Sequence, residues 1–167
     1  SKEQDKIQTQ MASLPIQNLP NSILRKKARP VGKVTASERK TLADMAETMY
    51  LNSGVGLAAP QVGIDRQLAV VDAGDGLVKM INPCIVKCEG TQSQEEGCLS
   101  IPEVSVKVKR SAKITAEFLN ENGEVLRITA DGLLARIIQH ELDHLNGKLI
   151  VDYLGPIRKL FAKKNRG

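Results

Sequence analysis

The stretch Asp131-Gly-Leu-Leu-Ala-Arg-Ile-Ile-Gln-His-Glu-Leu-Asp-His-Leu145 predicts an amphipathic helix and holds both histidines of the chain. Asp131 can cap the start of this helix, and Gly147 can supply the left-handed residue that ends it. Apolar residues at helical spacing form an arc that should face the core: Leu133, Leu134, Ile137, Ile138 and Leu145. Three polar residues are predicted to face solvent: Arg136, Gln139 and Asp143.

Two histidines one helical turn apart indicate a metal site. His140 and His144 stand at positions i and i+4, so both imidazoles can reach one ion. Glu141 falls within the apolar arc, where a carboxylate is costly unless it has a partner or a task. The alternative is two surface histidines beside a glutamate that reaches water. Because the chain has no other histidine, the spacing favours the metal site.

The segments before this helix predict an α+β domain. Thr35-Ala-Ser-Glu38 fits a capping box at the start of another helix, which Asn52-Ser-Gly54 ends. Asn122-Gly123 is a strong hairpin turn. Strands joined by hairpins between two helices favour α+β over a parallel doubly wound sheet. Apolar or alternating runs predict strands at 67–72, 78–82, 104–109, 114–120 and 125–130.

Length and charge are those of one globular domain. The chain has 167 residues and a net charge of +5, and 14–157 is assigned to a single domain. Residues 1–13 are interpreted as an extension or a non-native remnant, with no secretory signal, and 158–167 as a basic tail. Both 1–34 and 158–167 carry +5, whereas 35–157 carries −5. Two Tyr, two Phe and no Trp argue against a nucleic-acid surface built on stacking.

A metal site needs a third ligand from elsewhere in the chain. Cys98 lies in Glu95-Glu-Gly-Cys-Leu-Ser-Ile-Pro102, where Gly and Pro predict an irregular backbone at the head of a strand that can present a thiolate. Cys84 and Cys88 are interpreted as small buried hydrophobic residues. The alternative is that they join the two histidines in a closed four-ligand zinc site. Three cysteines without a signal peptide suit a reducing compartment.

Three motifs, in order, resemble the signature of the peptide deformylase family. Gly54-Val-Gly-Leu-Ala-Ala-Pro-Gln61 matches G-x-G-x-A-A-x-Q, Glu96-Gly-Cys-Leu-Ser100 matches E-G-C-x-S, and His140-Glu-Leu-Asp-His144 matches H-E-x-x-H. The similarity runs from about Leu19 to Leu154. It implies an α+β fold with antiparallel β-sheets packed around the metal-binding helix. It also implies a metal-dependent hydrolase that removes the N-formyl group from the initiator formyl-methionine of nascent polypeptides.

The resemblance also implies a role for each motif residue. The metal ligands are Cys98, His140 and His144. Glu141 is the general acid/base, and Gln61 and the Leu99 backbone N–H face the developing oxyanion. The ion is one divalent metal, Fe(II) in the native enzyme, with Zn(II), Ni(II) or Co(II) possible in a preparation. A Cys-His-His set leaves a coordination position open, where metal-bound hydroxide can form near neutral pH and attack the formyl carbonyl.

An apolar pocket beside the metal is predicted to take an unbranched side chain such as Met. The alternative is that Leu133 and Ile137 are ordinary core residues. Glu96 is also assigned to the substrate side of the site, and Arg110 is its predicted partner if it is buried. The residues assigned to the pocket walls are Val55, Gly56, Leu133 and Ile137.

The predicted partners are N-formylmethionyl nascent peptides and, through the basic tail 158–167, the ribosome. No apolar run approaches the ~18 residues that span a bilayer, so no membrane is expected. The expected compartment is the bacterial cytoplasm, or an organelle matrix or stroma in a eukaryote. Two other functions remain open: a structural zinc module whose basic ends bind nucleic acid, and an H-E-x-x-H metallopeptidase. The metallopeptidase would lack a downstream His or Glu ligand, because Asp152 is the only possible metal ligand after the motif.

Overall fold

A computed structural model describes residues 13–155, which contain two α-helices. Helix α1 (Ala36–Leu51) begins with the predicted capping box, in which the Glu38 carboxylate accepts a hydrogen bond from the Thr35 backbone N–H at 2.7 Å. Helix α2 (Gly132–Leu145) has Asp131 at its N-cap position, but the Asp131 side chain makes no capping bond. Gly147 follows the helix with φ of 73°, as its predicted left-handed conformation requires.

Between residues 13 and 155, seven strands form two sheets, and every neighbouring pair is antiparallel. The larger sheet has the order β1-β2-β3-β6-β7 and comprises β1 (Gly56–Ala58), β2 (Leu68–Val71), β3 (Val78–Glu89), β6 (Lys113–Leu119) and β7 (Val125–Asp131). The smaller sheet is the hairpin of β4 (Gln92–Cys98) and β5 (Ile101–Arg110). The predicted α+β class with antiparallel sheets is confirmed.

The larger sheet is packed between the two helices. Along β2, Leu68 and Val70 belong to the hydrophobic cluster that contains α1, whereas Ala69 and Val71 belong to the cluster that contains α2. Alternate residues of a strand point to opposite faces, so both faces of this short strand are buried. A third cluster joins β5 to the turns Ser22–Arg25 and Ile150–Tyr153. These packed layers hold α2 in the interior.

The strand boundaries differ from the predictions where polar residues or Pro obscure the pattern. Strand β3 continues past Pro83 because a bulge between Ile81 and Cys84 accommodates a residue without a backbone N–H. Strand β4 was not predicted because its sequence Gln-Ser-Gln-Glu-Glu-Gly-Cys is polar. Cys98 is the last residue of β4, and the irregular stretch predicted at the head of a strand leads into β5, which begins at Ile101.

Two expectations about burial were also wrong. Cys84 and Cys88 are exposed, because strand β3 has no fully buried residue on either face after Pro83. Arg136 and Gln139 are buried rather than solvent-facing, because they contact the segment around the β4–β5 hairpin on a second side of α2. Arg136 donates to the Val108 carbonyl at 3.1 Å, and Gln139 accepts from the backbone N–H of Ser111 at 2.9 Å.

Neither helix within residues 13–155 combines the length and the apolar character needed to cross a bilayer. The predicted extension, apart from Ser13, and the basic tail 158–167 lie outside the described residues.

Candidate active site

Three side chains from two elements bring metal-ligating atoms together. Cys98 Sγ lies 3.3 Å from His144 Nε2, which lies 3.2 Å from His140 Nε2. Tetrahedral coordination with metal–nitrogen and metal–sulfur bonds of ~2.0–2.3 Å separates neighbouring ligand atoms by ~3.3–3.6 Å. These atoms therefore fit one ion. Within residues 13–155 they form the one cluster of His, Cys, Asp or Glu suited to a metal, and the exposed Cys84 and Cys88 take no part in it.

The turn after strand β4 presents Cys98 to the two histidines. The β4–β5 register shifts between Glu96 and Cys98, which is the irregularity that the Gly and Pro residues predicted. Ser100 is buried within this turn, and its hydroxyl accepts a hydrogen bond from Gln61 Nε2 at 3.3 Å. The thiol is therefore placed by contacts between segments far apart in the chain.

Glu141 is a buried carboxylate with unused hydrogen-bonding capacity. It is 2% exposed, its Oε1 lies 3.7 Å from His140 Nε2, and its Oε2 is buried without a partner. Burial raises the pKa of Glu141 to about 7, against the lowering effect of the charges of His140 and Arg110. A carboxyl group that titrates near neutral pH can both accept and donate a proton.

The second ring nitrogen of His140 is held by Glu96. The distance from His140 Nδ1 to Glu96 Oε1 is 2.9 Å. Glu96 also makes the predicted ion pair with Arg110, whose Nη2 and Nε donate to Oε1 and Oε2 at 2.8 Å and 3.0 Å. Arg136 Nη1 contacts Oε2 as well. Both carboxylate oxygens are thus occupied, and the Arg136 partner was not predicted because helical periodicity places that residue on the solvent side.

The local environment shifts the pKa values of Glu96, His144 and His140 in different ways. Burial favours protonation of Glu96, but hydrogen bonds from His140 and Arg110 overcome it and lower its pKa to about 2. Burial lowers the pKa of His144 well below its usual range, which keeps its ring neutral. For His140, burial is outweighed by hydrogen bonds to Cys98 and Glu96, which raise its pKa to about 10. A metal ion that binds His140 must therefore displace a proton.

A cleft of about 400 Å³ opens beside these groups. Val55 and Leu133 lie on its rim, 48% and 51% exposed, whereas Ile137 is buried in its wall. Leu133 is therefore not a core residue. Gly56 lies against Glu141: a Cβ at this position would be 2.7 Å from Ile137 Cγ2 and 3.0 Å from Glu141 Oε1. Every residue assigned to the pocket walls lines this one cleft.

Gln61 is oriented by the backbone next to it. Its Oε1 accepts a hydrogen bond from the Ala58 N–H at 2.9 Å, so its Nε2 points toward the ligand cluster, 3.5 Å from Cys98 Sγ. Gln61 is buried, and both Gln61 and Leu99 line the cleft. The Gly54-to-Gly63 stretch thus contributes a directed amide donor to the site.

The α+β fold is built around a helix that carries two converging histidines and a buried glutamate, and a cysteine lies opposite them. Together these features define a class of metal-dependent hydrolases. The sequence pattern of the family described as "Polypeptide deformylase" matches residues 13–160. The chain therefore belongs to the polypeptide deformylase family.

Similarity to individual proteins supports this membership. The peptide deformylase of Halothermothrix orenii is 48% identical over 144 residues, which cover 85% of this chain and 94% of that protein. The peptide deformylase of Caldanaerobacter subterraneus is 52% identical over 142 residues, or 85% of this chain and 89% of that protein. The crystal structure of peptide deformylase from Thermotoga maritima superposes with a TM-score of 0.84 at 45% identity and covers 87% of this chain and 99% of that chain.

Family membership confirms the predicted enzyme class, deformylation of peptides, and does not favour the zinc-module or metallopeptidase alternatives. Together with the three converging ligand atoms, it supports a bound metal ion.

Proposed function

We propose that this protein removes the N-formyl group from the formylmethionine end of nascent polypeptides, with one divalent metal ion held by Cys98, His140 and His144. The observation that carries this proposal is the Glu141 carboxylate. Its Oε2 atom is buried without a partner next to three converging ligand atoms and an open cleft. Such an atom is costly unless water or a substrate completes its hydrogen bonding.

Glu141 is assigned the proton transfers of the reaction. A divalent ion in such a site lowers the pKa of a bound water and polarises a carbonyl oxygen. Oε2 of Glu141 accepts the proton of the water that attacks the formyl carbon. The same carboxyl group then delivers that proton to the amine nitrogen as the C–N bond breaks, which yields formate and the free N-terminus. A pKa of about 7 suits both transfers near neutral pH.

Gln61 and Leu99 are assigned to the developing negative charge on the carbonyl oxygen. The bond from Ala58 fixes the Gln61 amide so that its Nε2 donors point toward the site. The Leu99 backbone N–H would add a second donor from the turn next to Cys98. One such donor contributes ~3 kcal/mol to stabilisation of a transition state.

Glu96 is assigned a positioning role instead of substrate contact. Both of its oxygens are occupied, by His140, Arg110 and Arg136. A carboxylate that accepts from His140 Nδ1 directs the Nε2 lone pair of that ring toward the metal. The substrate methionine side chain is instead assigned to the apolar walls of the cleft: Val55, Gly56, Leu133 and Ile137.

Fe(II) is the proposed native ion, with Zn(II), Ni(II) or Co(II) able to replace it in a preparation. The family resemblance supports this choice. An Fe(II) centre with the Cys98 thiolate as a ligand should lose activity on exposure to peroxide. Peroxide resistance of the iron-loaded enzyme would argue against Fe(II).

The proposed setting is the bacterial cytoplasm, near the ribosome. The relatives described above are bacterial proteins, which supports this location. The basic tail 158–167 is proposed to dock on ribosomal RNA, in contacts that weaken steeply with salt. A chain that ends at Gly155 should then bind ribosomes more weakly than the full chain. Equal binding would refute a role for the tail.

A deformylation assay combined with metal analysis of the same sample tests the proposed function. The full chain should hydrolyse formyl-Met-Ala-Ser and contain about one ion per chain. Glu141→Ala should fold and retain the metal but lose hydrolysis, and substantial residual turnover would reject the role of Glu141.

Metal content also tests the ligand set. Cys98→Ala should lose the metal, whereas the matched control Cys84→Ala should keep it, because Cys84 is exposed on strand β3 outside the ligand cluster. The reverse result would revive the structural zinc module.

A further inference from the structure

Arg110 links the metal-ligating helix to the turn Ile150–Tyr153 near the end of the described chain. Its side chain is 3% exposed. One edge of the guanidinium pairs with Glu96, as described above. At the other edge, Nη1 donates to Asp143 Oδ2 at 2.5 Å and to the Tyr153 hydroxyl oxygen at 3.1 Å. The Tyr153 hydroxyl in turn donates to Asp143 Oδ2 at 2.6 Å.

These contacts form a continuous path to a ligand nitrogen. Tyr153 and Asp143 hold Arg110, Arg110 holds both oxygens of Glu96, and Glu96 accepts from Nδ1 of His140. We propose that Asp143 and Tyr153 are positioning residues of the metal centre, which fix Glu96 through Arg110 and so fix the direction of His140 Nε2. This inference rests on the proposed metal-ligand role of His140.

The charges of the ion-paired side chains around Arg110 support the proposal. Glu96 and Asp143 carry two negative charges, and Arg110 and Arg136 carry two positive charges. The cluster is therefore neutral where it meets the metal centre. Without the Asp143 charge it would have a net positive charge beside a divalent cation. Because Arg110 and Arg136 are buried, water screens their charges weakly, and an unbalanced positive charge there disfavours the bound metal.

The Tyr153 ring allows the hydroxyl to be removed without moving the turn. Lys148 Nζ lies 4.2 Å from the centroid of the ring, and the guanidinium carbon of Arg110 lies 5.0 Å from it. Both cations attract the ring face itself, and the ring packs in the third hydrophobic cluster. Tyr153→Phe therefore deletes the hydrogen bonds of the hydroxyl to Asp143 and Arg110, and its interaction with Lys148, while it preserves the packing of the ring.

Tyr50 offers a matched control. Its hydroxyl donates to Asp72 Oδ2 at 2.6 Å, the same length as the Tyr153–Asp143 bond. Tyr50 is exposed and does not line the cleft. Tyr50→Phe therefore removes a similar hydrogen bond outside the Arg110 path.

The experiment measures the release of Co(II) from the full-length protein to a chelator, together with the visible absorption bands of bound Co(II). Loss of a group that supports a metal ligand typically weakens metal binding ~10–100-fold. We expect release in Asp143→Asn to accelerate within that range. For Tyr153→Phe, one contact further away, we expect ~3–10-fold faster release. Both variants should also shift the absorption bands, whereas Tyr50→Phe should change neither the release rate nor the bands.

Unchanged release and bands in Tyr153→Phe, or an equal change in Tyr50→Phe, would overturn the inference. Tyr153→Phe decides the matter if Asp143→Asn does not fold. Measurements on the wild-type protein distinguish failure of this inference from failure of the proposed function. If it binds Co(II) and deformylates formyl-Met-Ala-Ser while Tyr153→Phe is unaltered, the inference alone is wrong. If it binds no Co(II), the proposed metal site and the inference are rejected together.

Discussion

Gly56→Ala should inactivate the site without unfolding the protein. The added Cβ would lie 2.7 Å from Ile137 Cγ2, 3.0 Å from Glu141 Oε1 and 3.1 Å from Glu141 Cδ. Carbon atoms in contact normally lie ~3.5–4.0 Å apart. The methyl group therefore overlaps Ile137 by roughly 1 Å, and it also displaces the carboxylate proposed to move the proton.

The two consequences are similar in free energy, but one affects stability and the other affects the rate. Forcing an extra methyl group into a packed site costs ~1–3 kcal/mol of unfolding free energy, which a domain of this size can tolerate. A misplacement of ~1 Å in the reacting groups can lower the rate ~10²-fold. That loss corresponds to about 2.7 kcal/mol in activation free energy. Because a stability loss of this size leaves a domain with ~5–15 kcal/mol of stability folded, we expect Gly56→Ala to remain folded while its kcat falls ~10²-fold.

The assay compares kcat for formyl-Met-Ala-Ser, metal content and urea unfolding in Gly56→Ala and in Gly32→Ala. Gly32 is the control because it is exposed and a Cβ there has no heavy atom within 4 Å. Gly32→Ala should retain wild-type kcat. If folded, metal-loaded Gly56→Ala keeps kcat within twofold of wild type, the close approach of Gly56 does not set the Glu141 position and the reasoning fails.

Three further predictions concern helix capping, a turn and substrate binding. Hydrogen bonds to Thr35 lower the pKa of Glu38. The ionised Glu38 side chain therefore stabilises the fold above the usual carboxyl range, and this stabilisation is lost as pH falls through the lowered pKa. In pH-dependent unfolding, Glu38→Gln should be less stable than wild type at neutral pH and equally stable in strong acid. Gly147→Ala should lose ~2 kcal/mol or more of unfolding free energy in urea, because its Cβ would lie 2.4 Å from the Arg25 carbonyl oxygen at a φ of +73°; a loss below half that size would contradict the close contact. Leu133→Ser should raise KM for formyl-Met peptides with little change in kcat or stability, since Leu133 lies on the exposed rim of the cleft; an unchanged KM would remove it from the pocket.

Local rules predicted the elements whose signals are contained within a few residues. The capping box at Thr35 and Glu38 is present, and the Asn122-Gly123 turn joins β6 and β7 as expected. The spacing of His140 and His144 places both side chains on one face of the helix, as helix geometry requires, and their Nε2 atoms lie 3.2 Å apart. These features depend on backbone dihedrals and near neighbours, which the amino acid types specify directly.

Local rules failed where a distant segment covers the residue. Arg136 stands on the polar side of α2 in a helical projection, yet Glu96 and the Val108 carbonyl bury its guanidinium. Strand β4 has no apolar alternation, and its pairing with β5 defines it. Periodicity measures the preference of one element and carries no information about a second layer packed against it.

The sequence by itself determined the helix with its two histidines and glutamate, the α+β class, and, through three ordered motifs, the family. The motifs implied Cys98 as the third ligand, but only the tertiary structure brings its Sγ close to His144, which is 46 residues away in the sequence. It also placed Gly56 against Glu141 and joined Tyr153 to His140 through Arg110. The physical reason is that helix geometry acts over one or two turns, whereas a metal centre and its supporting charges form only when packing brings remote segments within hydrogen-bond distance.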